Sequence, residues 1–191
     1  MSSGRDKFYK RKKIILFLSK GFKIIPSNLR KFIWKLFYNS DTKVAILIRY
    51  LIIKVEADFC GDNVYVSKNV VLKNISNLSI GSNVSIHEFC YVDAIGGLEI
   101  GNNVSIAHST SLITFNHTYE NKNLPIKYNP LSFKKIVISN DVWIGAGVRI
   151  LAGSILNEHC IVAAGAVVNK ELESGYIHGG IPTKKIKKMG D

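Results

Sequence analysis

The sequence is poor in cysteine. Cys60, Cys90 and Cys160 are the only three in 191 residues. They are too few and too scattered for a disulfide framework or a zinc site. Long apolar runs are also missing. No segment approaches the roughly 18 continuous apolar residues of a transmembrane helix, and the longest run, Val44 to Val55, contains Arg49 and Lys54. Lys and Arg precede Ile14–Leu18 as in a secretory signal, but that apolar core is short and Lys20 follows it with no cleavage-like site. The expectation is a chain that is not exported. Acidic residues are scarce at one end only. Up to Val55 there are 14 Lys and Arg against 2 Asp and Glu; from Glu56 onward the counts are 12 and 12. The formal charge of +12 therefore resides in the first part of the chain. Nothing there resembles a base-reading motif, which argues against a nucleic-acid partner.

What is present is a period of six. Aliphatic residues recur at Ile138, Ile144, Ile150, Leu156, Val162 and Val168. A second small or apolar residue follows each by four places: Val142, Val148, Ser154, Cys160, Ala166 and Leu172. Neither a helix (period 3.6) nor a simple strand (period 2) produces an unbroken six, whereas hexapeptide repeats of a β-solenoid do. Each hexad is one short strand and a turn, and the inward positions stack into a continuous column. The same phase runs through Cys60, Val66, Leu72 and Leu78, slips by two to Ile80, Ile86 and Val92, and slips again near Gly96-Gly97 before Ile100, Ile106 and Leu112. Slips of this size predict lengthened corners. Gly61, Gly81, Gly101 and Gly145 follow inward residues, and Asn63, Asn83 and Asn103 precede the next; both types tolerate tight-turn dihedrals. All three cysteines fall on inward positions. They are expected as reduced, inert core thiols in a cytosolic chain.

Two segments lie outside the repeat. Residues 1–55 read as basic helices, and residues 56–191 as the solenoid domain. Leu29, Phe32, Ile33, Leu36 and Phe37 share one face with Arg30, Lys31 and Lys35 opposite, after a start at Pro26-Ser27-Asn28 with Ser27 or Asn28 as N-cap. Val44, Leu47, Ile48, Leu51 and Val55 form a second stripe. The part nearest the solenoid is expected to cap its open end. Residues 7–38 are expected to touch an anionic membrane surface, placing the protein in the cytoplasm, at the inner face of the membrane. From 114 to 136 the hexads fail, and an excursion loop is predicted. Its aromatics Phe115, Tyr119, Tyr128 and Phe133 predict an ordered loop.

The hexads, Asn116-His117 in the loop, Asp141-Val142-Trp143-Ile144-Gly145, Ala163-Ala164-Gly165-Ala166-Val167-Val168 and Gly179-Gly180-Ile181-Pro182-Thr183-Lys184-Lys185-Ile186 together resemble the hexapeptide-repeat acyltransferases. The branch they look most like is the maltose/galactoside and capsule/exopolysaccharide O-acetyltransferases. The resemblance implies a mainly β fold, a left-handed parallel β-helix, assembled as a homotrimer with active sites in grooves between copies. It implies acetyl-CoA as co-substrate, a sugar or glycan acceptor, and no metal. His117 matches the catalytic His, a general base suited to neutral pH. The Ala146 amide matches the oxyanion donor. Trp143, Ala146, Ala164, Gly165, Asn169, Lys170, Lys184 and Lys187 match the coenzyme A groove, with lysines suited to phosphate. Glu88, Asp93 and Asn116 are the acceptor-side candidates; a turn role for Asp93 is equally compatible with its position after an inward Val. Gamma-type carbonic anhydrases use a similar solenoid with three zinc-bound His, but His108 and His117 lie nine apart here and no ligand cluster is evident. The implied activity is O-acetylation of a surface-polysaccharide precursor. Amino-sugar N-acetylation, and a non-catalytic membrane-tethered scaffold, are the alternatives.

Overall fold

The computed structural model describes residues 4–190. From Phe59 onward the chain winds as a parallel β-solenoid of about six coils with three faces. The first face stacks Phe59–Cys60, Leu78–Ile80, Leu98–Ile100, Ile136–Ile138, Ile155–Leu156 and Glu171–Leu172. The second stacks Tyr65–Val66, Ser85–Ile86, Ser105–Ile106, Val142–Ile144, Cys160–Val162 and Tyr176–Gly179. The third stacks Val71–Lys73, Tyr91–Asp93, Ser111–Ile113, Arg149–Ile150 and Val167–Val168. The C-terminal strand Lys184–Lys188 turns back antiparallel on the second face.

The period of six sits where the spacing places it. Ile138, Ile144, Ile150, Leu156, Val162 and Val168 are all buried, as are Val142, Val148, Ser154, Cys160, Ala166 and Leu172. The register pairs Cys60 with Ile80, Val66 with Ile86 and Leu72 with Val92, so the two-residue slip is a longer corner at residues 74–77. Leu72 is only half-buried.

The corner residues divide by cause. Asn63, Asn83 and Asn103 do adopt positive φ (54°, 59° and 58°), and they link in a ladder, Asn63 Nδ2 to Asn83 Oδ1 and Asn83 Nδ2 to Asn103 Oδ1, each 3.1 Å. Gly61, Gly81, Gly101 and Gly145 do not have positive φ. A Cβ at Gly61 would lie 2.6 Å from the Gly81 carbonyl carbon. These glycines serve close approach of coil to coil, not turn dihedrals.

Three helices cover the solenoid's first coil: α1 (Gly4–Ile24), α2 (Ser27–Phe37) and α3 (Lys43–Glu56). The first strands of a solenoid have carbonyls with no preceding coil to bond, and buried carbonyls need partners. α3 supplies them. Arg49 Nε donates to Val66 O (2.8 Å), Tyr50 Oη to Gly61 O (3.1 Å), and Lys54 Nζ to Cys60 O. Arg49 is fully buried and also donates to Phe37 O (2.7 Å) and Ser40 O (2.9 Å), tying the α2–α3 link to the cap. The capping expectation thus holds for α3.

Its buried face differs from the predicted stripe. Ala45, Arg49, Tyr50, Leu51, Ile52 and Ile53 are inside, while Val44 is exposed. α3 is packed between the coil and the other two helices, so a single stripe does not describe it. α2 starts at Ser27 after Pro26, and neither Ser27 nor Asn28 caps it. Arg30 is not on an opposite, solvated face: it turns inward to Glu56 (2.6 Å) and to the carbonyls of Phe22 and Ile25.

Candidate active site

The excursion leaves the solenoid at the corner between the third and first faces. Thr114 marks the exit, its N–H and hydroxyl both donating to Asp93 O (3.3 and 2.8 Å). The loop is a β-hairpin, Phe115–His117 antiparallel to Leu131–Phe133. It rejoins the coil at Ile136, which is fully buried in a strand, so the excursion ends one residue before the predicted 136. Of its aromatics only Phe115 is half-buried; Tyr119, Tyr128 and Phe133 are exposed. Buried Asn129 organises the rest of the loop. Its Nδ2 donates to the carbonyls of Asn121, Leu124 and Pro125 (3.3 Å each), and its Oδ1 accepts from Asn121 N (3.1 Å). His117 and Asn116 are exposed near the hairpin base. Among the described residues the His117 imidazole has no hydrogen-bond or ionic partner.

The opposite side of the triangular cross-section carries a different set. Trp143 projects from the second face, 54 % exposed. Its register neighbours run outward-facing through Ile161 and Ile177 to Lys187. Coils stack about 4.8 Å apart, so Trp143 and Lys187 are roughly 14 Å apart along one edge. Lys184 is exposed on the same terminal strand, opposite Gly179.

At the corner beside Trp143, His108, Ala146 and Ala164 occupy equivalent turns in successive coils, linked by Gly147 N to His108 O (3.0 Å) and Gly165 N to Ala146 O (2.9 Å). The amides of His108, Ala146 and Ala164 have no acceptor among the described residues. They form a short column of free N–H donors. Glu88 lies on this same corner, below His108, and accepts from Ser67 Oγ (3.2 Å). Its own backbone N–H, and then that hydroxyl, hold its carboxyl below the usual range.

Sequence reasoning missed what holds this corner. Thr110 Oγ1 donates to Gly145 O (3.1 Å) from a fully buried position. Arg149 Nη1 donates to the carbonyls of Ser109 (2.8 Å) and Gly147 (2.9 Å). Together they brace the turn that presents the Ala146 amide. The hexad pattern marks Arg149 only as an outward residue, so it carried no signal.

The remaining candidates fall on the hairpin's corner. Asp93 is buried and held by Asn74 Nδ2 (2.6 Å) and Ile95 N (3.2 Å), a corner-building role. Asn169 and Lys170 lie on this corner three coils on from Asp93, exposed, between the last third-face strand and the last first-face strand. One chain therefore gathers Glu88, Trp143, Ala146, Ala164, Gly165, Lys184 and Lys187 on one side. It gathers Asp93, Asn116, His117, Asn169 and Lys170 on the other, across a face roughly 15 Å wide at about 3.3 Å per residue. Among the described residues no group of three or more His, Cys, Asp and Glu could hold a metal. His159 bonds Asp141 (2.6 Å) and buried His178 bonds Glu173 O (2.9 Å).

A family profile described as bacterial transferase hexapeptide (six repeats) matches residues 135–170. That segment carries hexapeptide repeats of the bacterial transferase type. Its repeat region is similar to the galactoside O-acetyltransferase of Escherichia coli K12, 29 % identical over 131 residues, 69 % of this chain and 64 % of that one. It is similar also to a putative lipopolysaccharide biosynthesis O-acetyl transferase of the same organism, 27 % identical over 68 % of this chain and 60 % of that one. The chain superposes on a maltose O-acetyltransferase from Clostridium difficile with a TM-score of 0.75, at 25 % identity over 86 % of each chain. Other solved structures of this fold are complexed with coenzyme A or acetyl coenzyme A. The chain spans between 36 % and 64 % of the length of the first curated relatives it matches.

Proposed function

We propose that this hexapeptide-repeat chain is an acetyl-CoA-dependent O-acetyltransferase that acetylates a sugar hydroxyl, on a precursor of a surface polysaccharide, in the cytoplasm. One observation carries the reading: an exposed tryptophan, a column of free amides and a terminal lysine share one edge, at a span that suits an extended thioester donor with phosphates at its far end. Trp143 flanks the thioester, the Ala146 and Ala164 amides face the acyl group and the arm, and Lys184 and Lys187 meet the phosphates. The likeness to sugar O-acetyltransferases supports a hydroxyl acceptor.

His117 supplies the base. It takes the hydroxyl proton as the oxygen attacks the thioester carbonyl carbon, and the Ala146 N–H donates to the oxyanion. The C–S bond then breaks, and the imidazolium returns the proton to the leaving thiolate. The base and the oxyanion donor sit on opposite sides of one solenoid, whereas a reacting carbonyl must lie about 3 Å from both. The reading therefore requires a second copy to bring its His117 to the donor edge, as in a homotrimer with three inter-subunit sites.

The test is calorimetric titration of acetyl-CoA into the wild-type chain and Trp143→Ala, followed by a panel of sugar and amino-sugar acceptors. Binding that weakens in the variant, with transfer to a hydroxyl, supports the assignment. Transfer only to amines would reassign the chain to N-acetylation. No binding at millimolar donor would leave a non-catalytic scaffold.

A further inference from the structure

The N-terminal helices dock by one face and leave another uncovered. α1 turns Phe8, Ile15 and Phe22 inward, with Phe8 edge-on to Tyr50 of α3 at 5.5 Å. Its other side displays Ile14, Phe17, Leu18 and Ile24, with Phe17 and Ile24 being 75 % and 85 % exposed. α2 likewise packs Trp34 inward and displays Leu29, Phe32 and Leu36. Spacings of three and four place each set on one stripe. At 100° per residue Lys13 and Lys20 line one edge of the α1 stripe, and Lys31 and Lys35 lie beside that of α2. Residues 4–38 hold eleven Lys and Arg against one acidic residue, Asp6. Lys12 and Arg30 are used internally, on Asp62 and Glu56.

We propose that the outward faces of α1 and α2 are a docking surface for an anionic lipid bilayer, which holds the solenoid to a membrane by its helical cap. Apolar stripes edged with lysine insert among acyl chains while the ammonium groups meet lipid phosphates. No described helix is long and apolar enough to cross a membrane, so the contact is peripheral. Charge selects this occupant. A second copy of the same surface would set lysines against lysines, which opposes association. A polyanion without an apolar phase would leave the seven exposed apolar side chains in water. The inference is independent of acetyl transfer, because none of these residues belongs to the candidate site.

The experiment is flotation of the full chain with phosphatidylcholine vesicles, with and without phosphatidylglycerol. Three proteins are compared: wild type, Phe17→Asp/Phe32→Asp and Lys13→Gln/Lys20→Gln. Wild type is expected on the anionic vesicles about tenfold more tightly than on neutral ones at low salt, with binding falling as salt rises. The aspartate pair should lose about tenfold at every salt concentration, and the glutamine pair should lose mainly at low salt. The glutamine pair keeps the test independent of any helix unravelling in the aspartate pair. Wild-type protein left in solution with anionic vesicles at low salt overturns the proposal. So does an aspartate pair that floats unchanged but sediments as a smaller oligomer, which would make the stripes a contact between copies. Binding to duplex DNA that the aspartate pair leaves intact, with no flotation, would make the surface a simple polyanion site.

Discussion

The helical cap and the solenoid solve the same problem, burying apolar side chains, in opposite ways. In the solenoid each inward residue is covered by its equivalent one coil away, so a period in the sequence becomes a column in space. The charges from Glu56 onward balance at 12 and 12, and the coil surface is neutral. In the cap nothing repeats. Arg49, Tyr50 and Lys54 each meet a particular carbonyl of the first coil, and the outward faces of α1 and α2 keep apolar side chains in solvent among excess lysine. A repeat can be read from spacing. A cap is read only from the atoms it meets.

Substitutions can break this contrast from either side. Ile144→Ala removes a fully buried side chain from the middle of the column, and it should cost about 3 to 4 kcal/mol of stability by urea denaturation, because coils above and below cannot both close the gap. His117→Ala should do the reverse. Its imidazole is exposed and unpartnered in one chain, so the melting temperature should hold while acetyl transfer falls about a hundredfold, equivalent to about 2.7 kcal/mol. Equal transfer by the variant would remove His117 as base.

Arg49→Ala tests the joint between the two regions. It leaves the carbonyls of Val66, Phe37 and Ser40 without their donor, at about 2 kcal/mol. Hydrogen exchange should rise first in residues 59–66 and in α2, with the coils beyond the hairpin unchanged. Trp143→Ala, on the solenoid's outer face, should weaken acetyl-CoA binding about tenfold by calorimetry and leave stability unaltered, a change of about 1.4 kcal/mol.

The smallest effect is on pH dependence. Burial pushes the Cys60 thiol up to about 12 and those of Cys90 and Cys160 up to about 11. These values exceed that of an unfolded thiol, so the stabilisation is complete below about pH 8.5 and is lost as pH rises toward 11 to 12. By pH 9.5 the loss is about 1 kcal/mol per thiol. Replacing each cysteine by alanine should flatten the alkaline limb of the urea midpoint by that amount. An unchanged limb would mean the thiols are not buried in this column.

Much of the fold was legible because hexad spacing is a one-dimensional record of what faces inward. Both corner slips, the inward cysteines and the excursion were readable in that way. The role of Gly61 was not, since a close approach between coils and a turn dihedral both call for glycine in the sequence. The loop's aromatics predict its order, while Asn129 holds it through four hydrogen bonds that no spacing signals. The candidate site residues were marked by motif, yet their grouping in space was not. Glu88 and Ala146 are far apart in sequence and share a corner, while Ala146 and Leu151 are five apart and lie toward opposite corners.

Residue order alone thus sets the solenoid, its three inward columns, the break at the hairpin and the separation of charge between cap and coils. These depend on which residues avoid water, and that preference belongs to each residue type. Tertiary packing alone set that a buried arginine closes the first coil, that His117 and the Ala146 amide lie at different corners of one chain, and that α1 and α2 leave apolar stripes uncovered. Those features depend on where coils and helices meet in space, on hydrogen bonds between backbone atoms that carry no side-chain identity, and on which faces happen to be used once the chain has closed on itself.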